Sequence, residues 1–155
     1  MVYGSAVSGP AIRIIMKTSI RPIFQSGIDI VWPLVKEGLD KIESKGMSDE
    51  PQELIRQWLK TMPFIMLYLM YSNNEYIGFL IGKVDIKIHH QEFCIYKAFM
   101  LPEFKRPDDI VDEIRKIAEV NKCKYMTFYS QRKGWKKEAE KLGFREGYTQ
   151  YLQEV

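Results

Sequence analysis

Tyr96, Tyr125 and Tyr129 each carry a phenol able to give up a proton, and all three fall in segments that read as strands. A strand tyrosine also packs its ring in the core and leaves its hydroxyl at the rim. Lys105 and Arg106 sit in a loop over 101–108, where their side chains can bind phosphate. Asp108 and Asp109 close that loop, and a short carboxylate there suits the N-cap of a following helix. His89 and His90 are adjacent in a turn, but no cysteine or histidine stands at metal-ligand spacing from them, so no metal site is expected. A second basic stretch, with Arg132, Lys133, Lys136, Lys137 and Lys141, mixes cations with Tyr129 and Trp135, as platforms for single-stranded nucleic acid do. Trp135 also begins the apolar stripe of a helix, and burial explains it better. Neither a nucleophile elbow nor a nucleotide-binding P-loop is present, which leaves hydrolase and nucleoside-triphosphate chemistry without support.

The elements that must position these side chains follow from periodicity. Over 27–45, Val31, Leu34, Val35, Leu39 and Ile42 recur at three- and four-residue steps, a helix with Pro33 placed near its first turn and Gly46 as its stop. A second helix opens at Ser48 or Asp49, with Glu50 and Pro51 in its first turn, and presents Leu54, Ile55, Trp58, Leu59 and Met62. Residues 64–71 form a continuous apolar strand, and the turn 72–75 leads into a second strand over 76–88, an antiparallel hairpin. A third strand over 92–100 alternates Phe93, Ile95, Lys97 and Phe99 on one side with Cys94, Tyr96, Ala98 and Met100 on the other; Lys97 is the odd charge in it. Ile110, Ile114, Ile117 and Ala118 mark a third helix, 124–129 a strand, and Trp135, Ala139 and Leu142 a short last helix stopped by Gly143 before a closing strand. A first strand comes from 11–16 or from 19–23, and Pro22 would confine the latter to an edge. This order predicts an α/β (α+β) fold with helices on both faces of a sheet.

The chain of 155 residues, 46% hydrophobic and 28% charged, suits one domain with a sizeable core and not disorder. The folded domain is expected over 19–155, with 1–18 a flexible leader and Met16 an alternative start. The longest apolar run, 64–71, is far short of the roughly 20 residues that span a bilayer. Cys94 and Cys123 are read as small core hydrophobes, and so low a cysteine count fits a reducing cytoplasm. A net charge of +3 is too small a basic footprint to favour nucleic acid as partner.

The helix ending Lys141, Leu142, Gly143, Phe144, together with the element order, resembles the GNAT acyltransferase superfamily. Arg132, Lys133, Gly134 and Trp135, followed by Ala139, Gly143 and Phe144, resemble small GNAT-like proteins of tailed bacteriophages. The resemblance covers about residues 24–155 and implies a mixed, largely antiparallel central sheet with about four helices on its two faces. It implies acetyl-CoA as cofactor, a small-molecule or protein amine as substrate, and no metal. The cofactor positions implied are Met100, Lys105, Arg106, Asp108 and Asp109, with Glu92 as a base acting through water and Tyr129 as a proton donor.

The family's pyrophosphate turn is rich in glycine because bare amides at a helix start favour negative charge. Here Arg106, Asp108 and Ile110 occupy those positions and Pro107 offers no N–H. Ala139 stands where many members carry a tyrosine that protonates the departing thiolate. The resemblance therefore implies an N-acyltransferase with weak or lost activity. Its alternative is a non-catalytic phage virion or host-interaction protein, in the host cytoplasm or the particle, with Arg132, Lys133 and Lys137 facing a protein partner.

Overall fold

The computed structural model describes residues 17–45, 50–130, 135–147 and 151–155. Residues 1–16 of the expected leader, Gly46, Ser48 and Asp49, and the loop with Arg132 and Lys133 lie outside the described residues, as does the side chain of Trp135. The first strand, β1, is Thr18–Ile23, the second of the two expected stretches. It forms one edge of the sheet, the place where Pro22, lacking an N–H, is tolerated. A short 3-10 turn, Gln25–Gly27, leads into α1, Ile28–Ser44. Ile28, Trp32, Val35 and Leu39 are buried along α1, whereas Leu34, expected in the stripe, points outward. Pro33 stands in the second turn of α1 and not near its first, at the cost of the bond its missing N–H would make.

The second helix, α2, is Gln52–Thr61 and starts later than the sequence suggests. Proline disfavours helical backbone in the residue before it, so Glu50 stays outside and Pro51 takes the N-cap. Ile55 and Leu59 are buried, while Leu54 and Met62 are exposed. Strands β2, Ile65–Ser72, and β3, Glu75–Ile86, pair antiparallel with Ser72 opposite Glu75. The two residues between them, Asn73 and Asn74, have φ of 51° and 65°, the paired left-handed values that a tight hairpin turn requires and that asparagine tolerates.

The next strand, β4, is Gln91–Met100, antiparallel to β3. Its pairing steps from Ile81 opposite Lys97 to Gly82 opposite Ile95, so Tyr96 is an extra residue, a bulge. The expected alternation therefore breaks. Phe93 and Ile95 pack on one face of the sheet, while Tyr96 and Phe99 pack on the other. Helix α3, Ile110–Val120, buries Ile114 and Ala118 at helical spacing, and β5, Tyr125–Phe128, pairs parallel to β4. Helix α4, Trp135–Lys141, ends at Gly143 with φ of 89°; Phe144 N–H donates to the Ala139 carbonyl at 2.9 Å and Gly143 N–H to Glu140 at 3.0 Å. This is the glycine stop expected from the sequence. The expected closing strand is not formed by the described residues after it, 144–147 and 151–155.

The five strands lie in the order β1-β2-β3-β4-β5, antiparallel except for the last pair. Helices α1 and α2 cover one face through Trp32, Val35, Leu39, Ile55 and Leu59 against Leu67, Phe79 and Ile81. Helix α3 covers the other through Ile110, Ile114 and Ala118 against Tyr68, Leu80 and Phe93. A mixed, largely antiparallel sheet between helices is the architecture the resemblance implies. Among the described residues no helix is long and apolar enough to cross a membrane.

Candidate functional site

Parallel strands β4 and β5 share only four pairs, from Glu92 opposite Tyr125 to Ile95 opposite Phe128. There β5 ends, and β4 passes through its bulge and continues to Met100. The crevice outside the carboxyl ends of parallel strands is where ligands of such sheets collect. The loop that follows β4 is anchored at both ends. Leu101 N–H donates to the Ile77 carbonyl at 2.8 Å, and Phe104 packs into the α3-side core. At the other end the Thr18 hydroxyl donates to Asp109 Oδ1 at 2.6 Å, tying the start of α3 to β1. Asp109 holds the N-cap position but makes no side-chain cap bond, since its carboxylate is engaged by Thr18.

Between this loop and α4 lies a cavity of about 370 Å³, walled by Lys105, Arg106, Asp108, Ile110, Glu138 and Leu142. Three of the proposed cofactor residues, Lys105, Arg106 and Asp108, thus meet in one place. Met100 does not join them; it packs beside the α3-side core. Arg106 Nη2 lies 2.8 Å from Glu138 Oε1, and this guanidinium holds the Glu138 carboxyl below the usual glutamate range. The backbone offers little to an anion here, because Pro107 has no N–H and the Ile110 N–H donates to the Pro107 carbonyl at 3.3 Å. Glu138 escaped the sequence reading, since nothing local couples it to a residue 32 positions earlier.

Glu92, the base implied by the resemblance, is buried at 4% exposure and lies 2.7 Å from His90 Nε2. The Tyr125 ring meets His90 edge-on with centroids 5.2 Å apart. Tyr129 follows the last residue of β5 and is exposed. On the α1 and α2 face, Tyr96 at the bulge donates its hydroxyl to Glu50 Oε1, and Lys97 Nζ lies 3.3 Å from the same oxygen. Lys83 and Lys97 flank the Tyr96 ring at 5.3 and 4.9 Å. Lys97, a charge in an apolar strand, was the one sequence sign of this cluster.

The Tyr96 hydrogen bond first, and then the Lys97 and Lys83 charges, hold the Glu50 carboxyl below its ordinary range. Its stabilisation is therefore present above the ordinary glutamate pKa and is lost as pH falls through the depressed value. Glu50→Ala is expected to cost about 2 kcal/mol, because it strands the nearly buried Lys97 ammonium. Melting temperatures measured against pH check this: Glu50→Gln should lose less stability than wild type on acidification. An alanine variant that melts like wild type would refute the coupling.

No protein-family model and no curated protein matches this chain. Solved structures do match. An aminoglycoside N-acetyltransferase in complex with CoA superposes with a TM-score of 0.64 at 13% identity, over 93% of this chain and 98% of that one. A probable acetyltransferase gives 0.64 at 18% identity, over 88% and 98%. A ribosomal-protein-alanine N-acetyltransferase from Brucella melitensis biovar Abortus 2308 gives 0.63 at 12%, over 90% and 100%. The fold is GNAT-like. Within this GNAT-like fold β4 parts from β5 after Ile95 and bulges at Tyr96, and the cavity lies between the loop that follows β4 and α4. Lys137 is exposed on α4, outside that cavity.

Proposed function

We propose that this chain is an acetyl-CoA-dependent N-acyltransferase of slow turnover, acting on an amine. The observation that carries this reading is the cavity of about 370 Å³ holding Lys105 and Arg106 on the loop that follows β4 in a GNAT-like sheet. That volume falls in the ordinary range for ligand pockets. Acetyl-CoA would supply an acyl group activated as a thioester. Its phosphates fit the cavity through side chains and not through a glycine cradle: Lys105 and Arg106 give charge, and Ile110 and Leu142 give apolar walls. Asp108 opposes the cations and Asp109 is tied to Thr18, so neither adds an anion-binding group.

Glu92 Oε2, 2.7 Å from His90 Nε2, forms the base together with that imidazole. Glu92 lies four residues before the bulge, about 13 Å along the strand, so the acceptor's proton reaches the pair through water. Tyr129, at the end of β5, gives a proton to the leaving thiolate. With Ala139 in place of a helix tyrosine, that donor is exposed to solvent, which accounts for a slow rate. This chain's structural neighbours include an aminoglycoside N-acetyltransferase and a ribosomal-protein-alanine N-acetyltransferase, so small polyamines of the aminoglycoside kind are the first acceptors to try and protein N-termini the second.

Calorimetry of the purified chain with CoA and acetyl-CoA tests the reading, and binding at up to millimolar ligand is expected. Absence of heat and of any thermal shift at that concentration would remove it. A second reading, a non-catalytic phage virion or host-interaction protein using the basic region of Arg132, Lys133 and Lys137, is favoured by the Glu138 carboxylate already seated on Arg106. It predicts that result.

A further inference from the structure

A second cavity, of about 350 Å³, lies at the β1 end of the sheet and is lined by Lys17, Ser19, Arg21, Asn73 and Asn74. Its floor is built by reciprocal bonds. Asn73 N–H donates to the Lys17 carbonyl at 2.9 Å, and Lys17 N–H donates to Asn73 Oδ1 at 2.9 Å, so the hairpin turn is fastened to the start of β1. Thr18 reaches Asp109 on the α3 side, which by strand alternation sends Lys17, Ser19 and Arg21 together to the opposite face.

Arg21 is held in place before any ligand arrives. Its guanidinium carbon lies 4.3 Å over the Tyr71 ring, and one Nη2 hydrogen bond runs to Asn74 Oδ1 at 3.0 Å. Stacking occupies a face of the guanidinium and leaves further N–H groups along its edge, the planar fork that binds two oxygens of one anion. Among the described residues no carboxylate lines the cavity, and neither Lys17 nor Arg21 forms an ion pair. The Asn73 and Asn74 amide oxygens are both taken up by protein donors.

We propose that this cavity is an oxyanion site that takes the phosphate of a small soluble phosphomonoester. Arg21 grips two phosphate oxygens through its fork, Lys17 and the Ser19 hydroxyl meet the third, and the ester group fills the remaining volume. Two cations in one open cavity match one phosphate. A nucleic-acid backbone would need a longer basic track. The site is separate from the cavity of Lys105 and Arg106 and does not rest on the acyltransferase reading.

Residue-resolved NMR of the full chain, titrated at fixed ionic strength with phenyl phosphate, tests this. The amides of Ser19, Arg21, Asn73 and Asn74 should shift saturably at millimolar ligand. Arg21→Gln should weaken binding about tenfold or more, the usual effect of losing a charged hydrogen bond, and Lys17→Gln should weaken it measurably. Arg106→Gln, in the other cavity, should leave these shifts intact. The proposal is overturned if these amides do not move, if both edge variants bind like wild type, or if phenol moves the same amides as far as phenyl phosphate does.

Discussion

Gly78→Ala should lower the melting temperature by about 10 °C, corresponding to about 3 kcal/mol of lost stability in a domain of this size. Gly78 pairs with Met70 on one side and Met100 on the other, in the middle of the sheet. A Cβ added there would overlap the Phe99 carbonyl oxygen and come within 2.9 Å of Met100 Cα. Both obstacles are backbone, so no side-chain rotation relieves them, and the end of β4 must shift. At Gly82, by contrast, the added carbon would meet the Phe93 ring, a side chain with some freedom to give. The neighbouring Ile77 carbonyl holds Leu101, the first residue of the β4–α3 loop. The variant should therefore weaken CoA binding as well as stability. Thermal unfolding by circular dichroism measures the first effect, and a shift of about 2 °C or less would show that the strands absorb the methyl group.

Removing both cations from the main cavity should cost CoA affinity about a hundredfold, since each charged contact is worth about 1.5 kcal/mol or more. Lys105→Ala with Arg106→Ala is the variant. Glu138→Gln should act in the opposite direction. The Glu138 carboxylate lies 2.8 Å from Arg106 and must be displaced before a phosphate can take its place. Because both partners are partly exposed, their pairing is weak, and the gain in affinity should be modest, about threefold. Calorimetry on wild type and the two variants separates the possibilities. Affinity falling in Glu138→Gln would mean that the ion pair builds the site and does not block it. Equal affinity in the double alanine variant would move the phosphate site elsewhere.

Much of the fold is legible in local sequence, for reasons that particular residues make plain. Ile28, Trp32, Val35 and Leu39 can share a core only on a helix, and Asn73-Asn74 can supply two left-handed residues where few other pairs do so at low cost. Gly143 ends α4 because glycine meets no Cβ penalty at positive φ. The bulge at Tyr96 was not legible. Both faces of β4 pack against apolar side chains, so alternation carries no register there, and only the pairing with β3 reveals the extra residue. The burial of Glu92 was equally hidden, since a carboxylate is taken as exposed until a partner such as His90 is seen against it.

By itself, then, the sequence determined the succession of helices and strands from β1 to α4, and the presence of Lys105 and Arg106 after β4 without a glycine beside them. These are local properties, set by side-chain periodicity and by the backbone limits of glycine, proline and asparagine. Tertiary structure alone decided that Glu138 sits on Arg106, that Glu50 binds Tyr96 and Lys97, and that Lys17 and Arg21 share a cavity with the hairpin turn. Each of these joins residues from different elements, whose meeting depends on how strands register and helices dock. No single stretch of the chain encodes such a meeting of charges.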